Sequence, residues 1–474
     1  GWYGYYLNKN FDAGTYYIYC VVRDTDKNNS KNYAETISKT CKIVFEALNA
    51  DDFEGSGTEA DPYLLKTQAD MQKLQERVNT DGVTYAGTFF KMVNDITLQD
   101  QWRPIGCTKD GSSDIKSGLN LNAFAGTIDG QKEDGTCVTL TVPKGGLPLL
   151  GYVKGATIKN LNIYGEQIEG AGLVNSLSGN GLEGNAVTID HVTLKSGTKT
   201  LESGLIHSVG GNGYACSSAK FVVTVQNCTI EEGVTIGYKG TKGQIGSIAN
   251  RCQGTIDNCV SYATVKGSKY VGGLLGTMDN AMGKCVVQNS QFHGTVEATG
   301  SYAGGIVGGG YCNNNSAPNG GRPSIIGCTV DGTVTGDTCV GGITGGDQYV
   351  AQTRDNATQS VTGNIFKGTI SGNQYVGGII GYYNSLNKYD TISGNTYSNA
   401  DVGIGYVKYI DTSYENPTLR DGTIAFNTGA TTEGLPDIQW NTWKAGLNRE
   451  DDPLGVDKDK LAKNSERRHR YVRS

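Results

Sequence analysis

The sequence predicts an all-β chain whose main part is a right-handed parallel β-helix, a solenoid of stacked coils. Two observations predict this fold. A phrase with paired glycines recurs every 32 to 37 residues, a period typical of one small unit stacked on copies of itself. Short β-type segments surround the phrase, and no helix-length apolar pattern separates them. Because crossovers between parallel strands are right-handed in nearly all proteins, we expect a right-handed coil.

The glycine phrase has four clear copies, each beginning with tyrosine or cysteine. They occupy residues 270–276, 302–308, 339–345 and 375–381. Glycine makes up 69 of the 474 residues, about twice the usual share of about 7%. Since glycine adopts positive φ angles without steric cost, this content is expected of a chain with many tight corners.

Three columns of residues upstream of the phrase set the register of eight coils, which span residues 158–410. The first column is aliphatic and recurs after 31 to 38 positions: Ile158, Ile189, Val225, Ile256, Val287, Ile325, Val361 and Ile392. Three residues later comes a second column that we expect to face inward: Leu161, Val192, Cys228, Cys259, Ser290, Cys328, Asn364 and Asn395. Directly before it lie Asn160, His191, Asn227, Asn258, Asn289, Gly327, Gly363 and Gly394. Asparagine and glycine tolerate left-handed backbone best, so this third column predicts one repeated corner, in which His191 has a structural role.

The chain begins with a region that lacks the repeat. Residues 1–49 contain two strand-like segments, 16–22 and 40–45, on either side of a polar turn at 24–32. The entry at 12–16 resembles that of immunoglobulin-like domains. We therefore interpret this region as part of an immunoglobulin-like β-sandwich, with the chain beginning partway through it.

Residues 50–157 are expected to hold an N-terminal helical cap and the first, irregular coils. The cap is a predicted helix that begins after Thr67, with Asp70 completing a capping box. A cap is needed because the end of a β-helix exposes unpaired backbone groups. Residues 411–474 form the last region, a C-terminal cap around 438–443 followed by a basic tail.

Charge and spacing argue against several function classes. The chain has a net charge of −6, and an acidic body argues against nucleic-acid binding, so the basic tail is interpreted as solvated. No apolar run approaches 18 residues, so we expect no membrane span. No CxxC pair occurs, and we predict neither a metal site nor a cofactor. Cys20 and Cys41 are the best disulfide candidates; for Cys228 and Cys259, in adjacent coils, a bridge and two buried free thiols both remain open.

The repeat resembles the GLUG motif of bacterial surface proteins, which occurs in adhesins and in the N-terminal region of IgA1-protease-like metallopeptidases. The resemblance includes the glycine phrases and residues 55–63, 89–98, 102–106 and 124–130, and it covers about residues 53–405. It implies a location at a bacterial surface and a role in attachment or as a non-catalytic arm. It brings no catalytic residues onto this chain.

Two kinds of catalysis are considered. A metallopeptidase of that family needs His-Glu-x-x-His, and none of the four histidines is followed by glutamate. A glycosidase needs two carboxylates, and Asp190 and Asp257 share an outward column two coils, or about 9–10 Å, apart. We prefer to interpret both as solvated residues of a sheet face. A carbohydrate-active enzyme, a glycosidase or polysaccharide lyase on a β-helix scaffold, is the alternative.

Tyrosine gives the clearest functional signal, because 27 tyrosines outnumber 10 phenylalanines. Tyr270, Tyr302 and Tyr375 share one column before the glycine pair, interrupted by Cys339. Tyrosine combines apolar contact with a hydrogen-bonding hydroxyl, which suits sugars, so these three are the candidate ligand-binding residues. A tyrosine ladder that merely covers a corner is the structural alternative.

We therefore predict a non-enzymatic, adhesin-like module at the bacterial cell surface or secreted from it. The predicted partners are host glycans or host surface proteins, and the module is expected to be monomeric. The carbohydrate-active enzyme and an inert spacer are the two alternatives.

Overall fold

The structure is a computed structural model that describes most of the chain between residues 14 and 426. The described residues are 14–18, 21–26, 29–37, 39–45, 53–107, 122–177, 186–209, 223–238, 240, 243–252, 254–279, 285–311, 324–346, 360–383, 391–407 and 424–426. The chain divides into two compact units, residues 1–56 and 57–474. The predicted boundary at residue 49 stays a prediction.

The first unit contains two small antiparallel sheets. One pairs β1 (Gly14–Ile18) with β4 (Cys41–Phe45), and the other pairs β2 (Val21–Asp26) with β3 (Asn29–Ile37). The predicted polar turn at 24–32 is wrong, because strands occupy most of it. Residues 24–32 contain no apolar side chain, so they lack the alternation of apolar and polar residues by which a half-buried strand is recognised. The immunoglobulin-like assignment stays a prediction.

Near its start, directly after a short strand at Tyr63–Leu65, the second unit contains the predicted helix, α1 at Gln68–Asn79. The hydroxyl of Thr67 accepts from the backbone N–H of Asp70 at 3.3 Å, and the Asp70 carboxylate accepts from the Thr67 backbone N–H at 2.9 Å. This reciprocal pair is the capping box that the sequence predicts. At the other end of the helix, Asn79 Oδ1 accepts from the backbone N–H of Gly106 at 2.8 Å, which ties the helix to the first coils.

The strands of the second unit form four parallel sheets along the stack, as far as the chain is described. The largest, called the long sheet, bends once, so that most coils cross it with two short strands and three coils cross it with one unbroken strand. Its strands are β5 (Tyr63–Leu65), β6 (Phe89–Met92), β7 (Ile96–Thr97), β8 (Thr127–Asp129), β9 (Val138–Thr141), β11 (Thr157–Tyr164), β13 (Val187–Leu194), β16 (Val223–Gln226), β17 (Thr229–Ile230), β21 (Thr255–Asp257), β22 (Val260–Ser261), β26 (Val286–Gln288), β27 (Gln291–Phe292), β31 (Ser324–Ile326), β32 (Thr329–Val330), β36 (Ser360–Thr362), β37 (Ile365–Phe366), β41 (Thr391–Tyr397) and β43 (Ile424–Phe426).

Three smaller sheets complete the stack, and each is named by its number of strands. The nine-stranded sheet contains β10 (Leu150–Val153), β12 (Val174–Leu177), β15 (Ile206–Val209), β20 (Ala249–Cys252), β25 (Leu275–Asp279), β30 (Val307–Tyr311), β35 (Thr344–Gly346), β40 (Ile380–Tyr383) and β42 (Ile404–Val407). The six-stranded sheet contains β14 (Lys199–Thr200), β18 (Thr235–Gly237), β23 (Thr264–Gly267), β28 (Thr295–Ala298), β33 (Thr333–Thr335) and β38 (Thr369–Ser371). The five-stranded sheet contains β19 (Ile245–Gly246), β24 (Val271–Gly272), β29 (Ala303–Gly304), β34 (Thr338–Gly341) and β39 (Gln374–Gly377).

One coil passes through the four sheets in a constant order. The coil that enters the long sheet at Thr255 continues through the six-stranded sheet at Thr264–Gly267, the five-stranded sheet at Val271–Gly272 and the nine-stranded sheet at Leu275–Asp279. The following coil starts at Val286, which lies opposite Thr255. The second unit is therefore a parallel β-helix, as predicted, with successive coils about 4.8 Å apart.

Both predicted inward columns form the core. The aliphatic column pairs in register from coil to coil, and none of its members is more than 2% exposed. The second column is fully buried too, and it changes along the stack from aliphatic residues through cysteine to asparagine. Asn364 Nδ2 donates to Asn395 Oδ1 at 2.9 Å, and Asn364 Oδ1 accepts from the backbone N–H of Cys328 at 2.9 Å. These bonds offset the cost of burying amides.

The predicted corner column is left-handed in all eight coils. Its φ angles run from 50° to 66° at Asn160, His191, Asn227, Asn258, Asn289, Gly327, Gly363 and Gly394. The side chains join successive coils, because Asn258 Nδ2 donates to Asn227 Oδ1 at 2.7 Å and Asn227 Nδ2 donates to Asp190 Oδ1 at 2.8 Å. The corner is therefore held by backbone conformation and by a ladder of polar side chains.

The last glycine of each phrase permits a contact that any side chain would block. A Cβ atom on Gly308 would lie 2.4 Å from the carbonyl carbon of Tyr270, and one on Gly405, the counterpart of Gly381 in the next coil, would lie 2.4 Å from that of Tyr375. Both distances are shorter than the 3.0 Å that real Cβ contacts respect. At the start of each segment of the five-stranded sheet, the backbone therefore packs directly against the backbone of the nine-stranded sheet in the next coil.

Several predictions concern residues that the structure does not describe. The C-terminal cap at 438–443 and the basic tail lie outside the described residues, and so does Cys20. Its candidate partner Cys41 is an exposed free thiol, and Cys228 and Cys259 are buried free thiols. Of the two alternatives for that buried pair, the structure has the free thiols.

We expect Asn258→Ala to be less stable than Asn258→Gly by roughly 1 kcal/mol, because alanine is strained at positive φ and glycine is not. Both changes remove the same amide hydrogen bond, so the difference isolates the backbone. The measurement is the free energy of unfolding from chemical denaturation. At Thr299, where φ is not positive, the order of the same two substitutions should reverse; equal stabilities at Asn258 would contradict a strained corner.

We expect Gly308→Ala to destabilise the protein by about 3 kcal/mol, the upper range for forcing an atom into a filled space. The physical reason is the backbone contact with Tyr270, which no rotamer change can relieve. Thermal unfolding followed by circular dichroism measures the effect, with Thr299→Ala at an exposed position as the control. A Gly308→Ala protein as stable as its control would show that the two backbones do not need this contact.

Candidate functional site

The three predicted tyrosines lie at a second left-handed corner. Tyr270, Tyr302, Cys339 and Tyr375 have φ angles of 54°, 66°, 59° and 56°. Left-handed backbone is rare for residues with a Cβ atom and costs roughly 1–2 kcal/mol each. The corner persists because it directs the chain into the close contact with the glycines of the next coil. Sequence reasoning found the column but not its conformation.

Tyr270 and Tyr302 form the closed part of the site. Only 7% of Tyr270 and 9% of Tyr302 is exposed. Their rings stack with centroids 4.9 Å apart and an interplanar angle of 18°, and Lys269 Nζ lies 4.8 Å from the Tyr270 centroid. Because each of these two rings stacks one face on the other, little of their aromatic surface is accessible to a ligand.

The glycine phrase makes room for these rings. A Cβ atom on Gly309 would lie 2.7 Å from Cδ1 of Tyr270, so the ring of Tyr270 covers that glycine. Two coils on, the equivalent position in the nine-stranded sheet is Tyr382, which pairs with Tyr406 in the last described coil of that sheet. At this position the nine-stranded sheet therefore has glycine in two successive coils, followed by tyrosine in the last two described coils.

The C-terminal end of the column is open. Tyr375 is 37% exposed, and its ring is tilted by 40° to that of Tyr406 at 4.6 Å and by 58° to that of Tyr382 at 5.9 Å. Cys339 occupies the preceding coil, so no ring of that column stacks on Tyr375. We call Tyr270, Tyr302, Tyr375, Tyr382 and Tyr406 the tyrosine cluster. Sequence reasoning missed Tyr382 and Tyr406, although Tyr382 directly follows the last glycine of its phrase and Tyr406 pairs with Tyr382 in the next coil.

Tyr302 and Tyr382 of the cluster are uncharged near neutral pH. Burial is the largest cause that raises the pKa of Tyr302, and nearby Cys339 and Tyr270 raise it further. Burial likewise raises the pKa of Tyr382. Burial raises the pKa of the Cys339 thiol to about 11, although hydrogen bonds with Thr338 and Tyr302 and the charge of Lys269 act in the opposite direction. The phenols therefore present hydroxyl groups, which can both donate and accept hydrogen bonds.

The two carboxylates considered for catalysis belong to the corner ladder. The pairing places Asp190 and Asp257 in one column two coils apart, as predicted, with Gln226 in the coil between them. Asp190 Oδ1 accepts from Asn227 at 2.8 Å and lies 2.7 Å from Nδ1 of His191, and Asp257 Oδ1 accepts from Asn289 at 2.9 Å. Both side chains therefore have partners that explain their presence.

The pKa of Asp190 does not suit a general acid. Burial would raise it, but hydrogen bonds from Asn227 and Gln226 and the proximity of His191 together lower it. An inverting glycosidase needs one carboxyl group that is protonated near neutral pH, and hence one with a raised pKa. The shift at Asp190 runs in the other direction.

Among the described residues, no three histidine, cysteine or carboxylate side chains gather as they would around a metal ion.

His191 lies at the left-handed corner with a φ of 51°, in agreement with the structural role predicted for it. The one described helix has 12 residues, too few to cross a bilayer, which takes about 20.

Comparison with known proteins gives two similarities. No family model matches the chain. Halomucin of Haloquadratum walsbyi is 28% identical over 151 residues, which cover 27% of this chain and only 2% of halomucin's length. The solved structure of a candidate immunoglobulin A1 protease from Bacteroides ovatus has a TM-score of 0.33 and 14% identity, over 76% of this chain and 88% of that one. The GLUG assignment stays a prediction.

We expect alkylation of Cys339 by iodoacetamide to rise about tenfold per pH unit from pH 8 to pH 10, because the thiolate is the reactive form and the pKa is about 11. Peptide mass spectrometry measures the rate, with the exposed Cys41 as the internal control. At pH 8 Cys339 should react far more slowly than Cys41. A rate that levels off near pH 9 would indicate an ordinary thiol pKa and contradict the shift.

Proposed function

We propose that this chain is a non-enzymatic module at a bacterial cell surface or secreted from it, adhesin-like, and that its tyrosine cluster binds a glycan or protein of a host. The observation that carries the proposal is the open end of the cluster, where the ring of Tyr375 is exposed and is not stacked face to face on either neighbouring ring. The module acts as a monomer in this proposal.

The open end has the chemistry of a carbohydrate-binding surface. Tyr375 offers the most exposed ring of the cluster, and Tyr382 and Tyr406 are half-buried beside it. Aromatic rings contact the apolar faces of sugars, while phenol hydroxyls supply hydrogen bonds. The uncharged state of Tyr382 keeps its hydroxyl available as a donor.

Tyr270 and Tyr302 have a different part in the same proposal. Their faces are stacked and covered, and the hydroxyl oxygen of Tyr270 is buried, so they offer a ligand little more than ring edges. Tyr302 contacts Tyr382 of the open end edge-on, with ring centroids 6.4 Å apart, and a binding surface that is already ordered loses less entropy when a ligand arrives.

The cell-surface location rests on the resemblance of the repeat to the GLUG motif of bacterial surface proteins. A solenoid with open flanks suits this location, because it offers an extended surface and holds it away from its point of attachment. Residues 53–405, which carry the resemblance, include every member of the tyrosine cluster except Tyr406.

The carbohydrate-active enzyme is less well supported, because the pKa of Asp190 is lowered and its partners belong to the corner. An assay for new reducing ends or unsaturated products on plant and mucin polysaccharides separates the two functions. Product formation that Asp190→Asn abolishes would replace the binding proposal with the enzyme.

We expect Tyr375→Ala to weaken binding to host glycans about tenfold, which corresponds to about 1.4 kcal/mol, because the most exposed ring of the cluster is lost. A glycan array identifies the ligand, and titration calorimetry with the best hit measures the dissociation constant. Tyr238→Ala, at a tyrosine that is 53% exposed outside the cluster, is the matched control and should bind normally.

Two results would contradict the proposal. One is failure of the parent protein to bind any host glycan on the array and any host epithelial cell surface. The other is a Tyr375→Ala protein that binds as tightly as the parent.

A further inference from the structure

A second aromatic surface lies at the edge of the six-stranded sheet where each coil enters it, whereas the tyrosine cluster lies beyond the edge where each coil leaves it. Tyr262, His293 and Asp331 each follow the last long-sheet strand of their coil, at Ser261, Phe292 and Val330. They therefore stack in three successive coils. Tyr262 is 44% exposed, which makes it more exposed than Tyr375.

The ring of Tyr262 is held in place from one side. It stacks on the imidazole of His293 with centroids 4.8 Å apart and an interplanar angle of 19°. His293 is itself fixed at both nitrogens, because Nδ1 pairs with Asp331 Oδ1 and Nε2 lies 3.0 Å from Gln291 Oε1. A surface network that orders four side chains costs conformational entropy, and burial of Tyr262 does not explain it.

The coil on the other side of Tyr262 carries a carboxylate instead of a ring. Glu231 pairs with Lys195 of the preceding coil, and its second oxygen accepts from the backbone N–H of Ser196 at 2.8 Å. Burial would raise the pKa of Glu231, but these hydrogen bonds and the charge of Lys195 lower it. Glu231 is thus fixed in the coil next to Tyr262, and no ring stacks on Tyr262 from that coil, so Tyr262 is the terminal member of its two-ring stack.

The charges around Tyr262 balance. Lys195 and Glu231 lie on one side, and Asp331 on the other is followed in the next coil by Lys367. On the neighbouring six-stranded sheet, Lys266 pairs with Glu297 at 3.2 Å. A polyanion needs an excess of positive charge on the protein, so this surface favours an uncharged ligand.

We propose that Tyr262, together with Glu231 and Gln291 of the two adjacent coils, binds one sugar unit of a neutral polysaccharide; we call these residues the Tyr262 site. The exposed ring supplies apolar contact, and the carboxylate and amide supply acceptors and a donor for hydroxyl groups. The fixed ring needs little further ordering when the sugar binds.

The Tyr262 site does not depend on the proposed role of the tyrosine cluster. The strand Thr264–Gly267 separates Tyr262 from Tyr270 along the coil, so the two surfaces lie at different edges of one sheet. Each has its own variant, and loss of binding at one leaves the other intact.

Affinity electrophoresis of the full chain tests the site. Native gels contain a galactomannan, a mixed-linkage β-glucan or dextran as the neutral probe, or heparin as a polyanion. We expect at least one neutral probe to retard the parent protein and heparin to have no effect. Tyr262→Ala should raise the dissociation constant for that probe about tenfold, as expected for the loss of an aromatic contact.

Matched variants show whether the ring itself matters. Tyr262→Phe keeps the stack on His293 and should stay within a few-fold of the parent, whereas His293→Ala removes the support and should weaken binding several-fold. Tyr238→Ala and Tyr375→Ala should bind these probes like the parent. Unchanged thermal midpoints confirm that each variant folds.

Three outcomes overturn the proposal. They are no retardation of the parent by any neutral probe, binding by Tyr262→Ala as tight as that of the parent, and retardation by heparin alone. Loss of binding in Tyr375→Ala but not in Tyr262→Ala would assign the neutral polysaccharide to the tyrosine cluster instead.

Discussion

Backbone-to-backbone contact at the glycine phrase is the constraint on which the rest of the coil depends. The last glycine of each phrase lies against the residue that opens the five-stranded-sheet segment of the preceding coil; for Gly381 the partner is Cys339, and a Cβ atom would lie 2.5 Å from its carbonyl carbon. The chain reaches this position through a left-handed residue. In three of four coils that residue is tyrosine, so the packing of the solenoid also places its aromatic rings in one column.

The architecture could be predicted from the sequence because every coil of a parallel stack needs the same kind of residue at the same position. The column from Ile158 to Ile392 is buried throughout, and the column from Asn160 to Gly394 is left-handed throughout. Each column reflects a single physical requirement that recurs in eight coils. The β2–β3 hairpin carries no such repetition, and the polar turn predicted there was therefore wrong.

The candidate surfaces were harder to predict, because they depend on orientation rather than on recurrence. Glycine and asparagine indicate a left-handed corner in the sequence, whereas Tyr302 adopts the left-handed conformation only because packing against the neighbouring coil requires it. The stack of Tyr262 on His293 unites residues 31 positions apart, a spacing visible in the sequence. Neither residue belongs to a motif, however, and the change from aromatic to acidic residues in that column hides the site. Tyr382 was missed for a related reason, since its counterparts in the two preceding coils are glycines.

The constant rise of the coils has a consequence for any polymer that lies along the stack. Side chains at one corner form a lattice with a repeat of about 4.8 Å, and a bound chain with a different repeat falls out of step after a few units. Contacts beyond that length add nothing, so a longer solenoid does not bind one chain more tightly. The cysteine in the tyrosine column and the ion pairs beside Tyr262 interrupt their lattices after two or three coils. Each proposed binding surface is thus limited to a short stretch of ligand, and further coils lengthen the solenoid without strengthening the proposed binding.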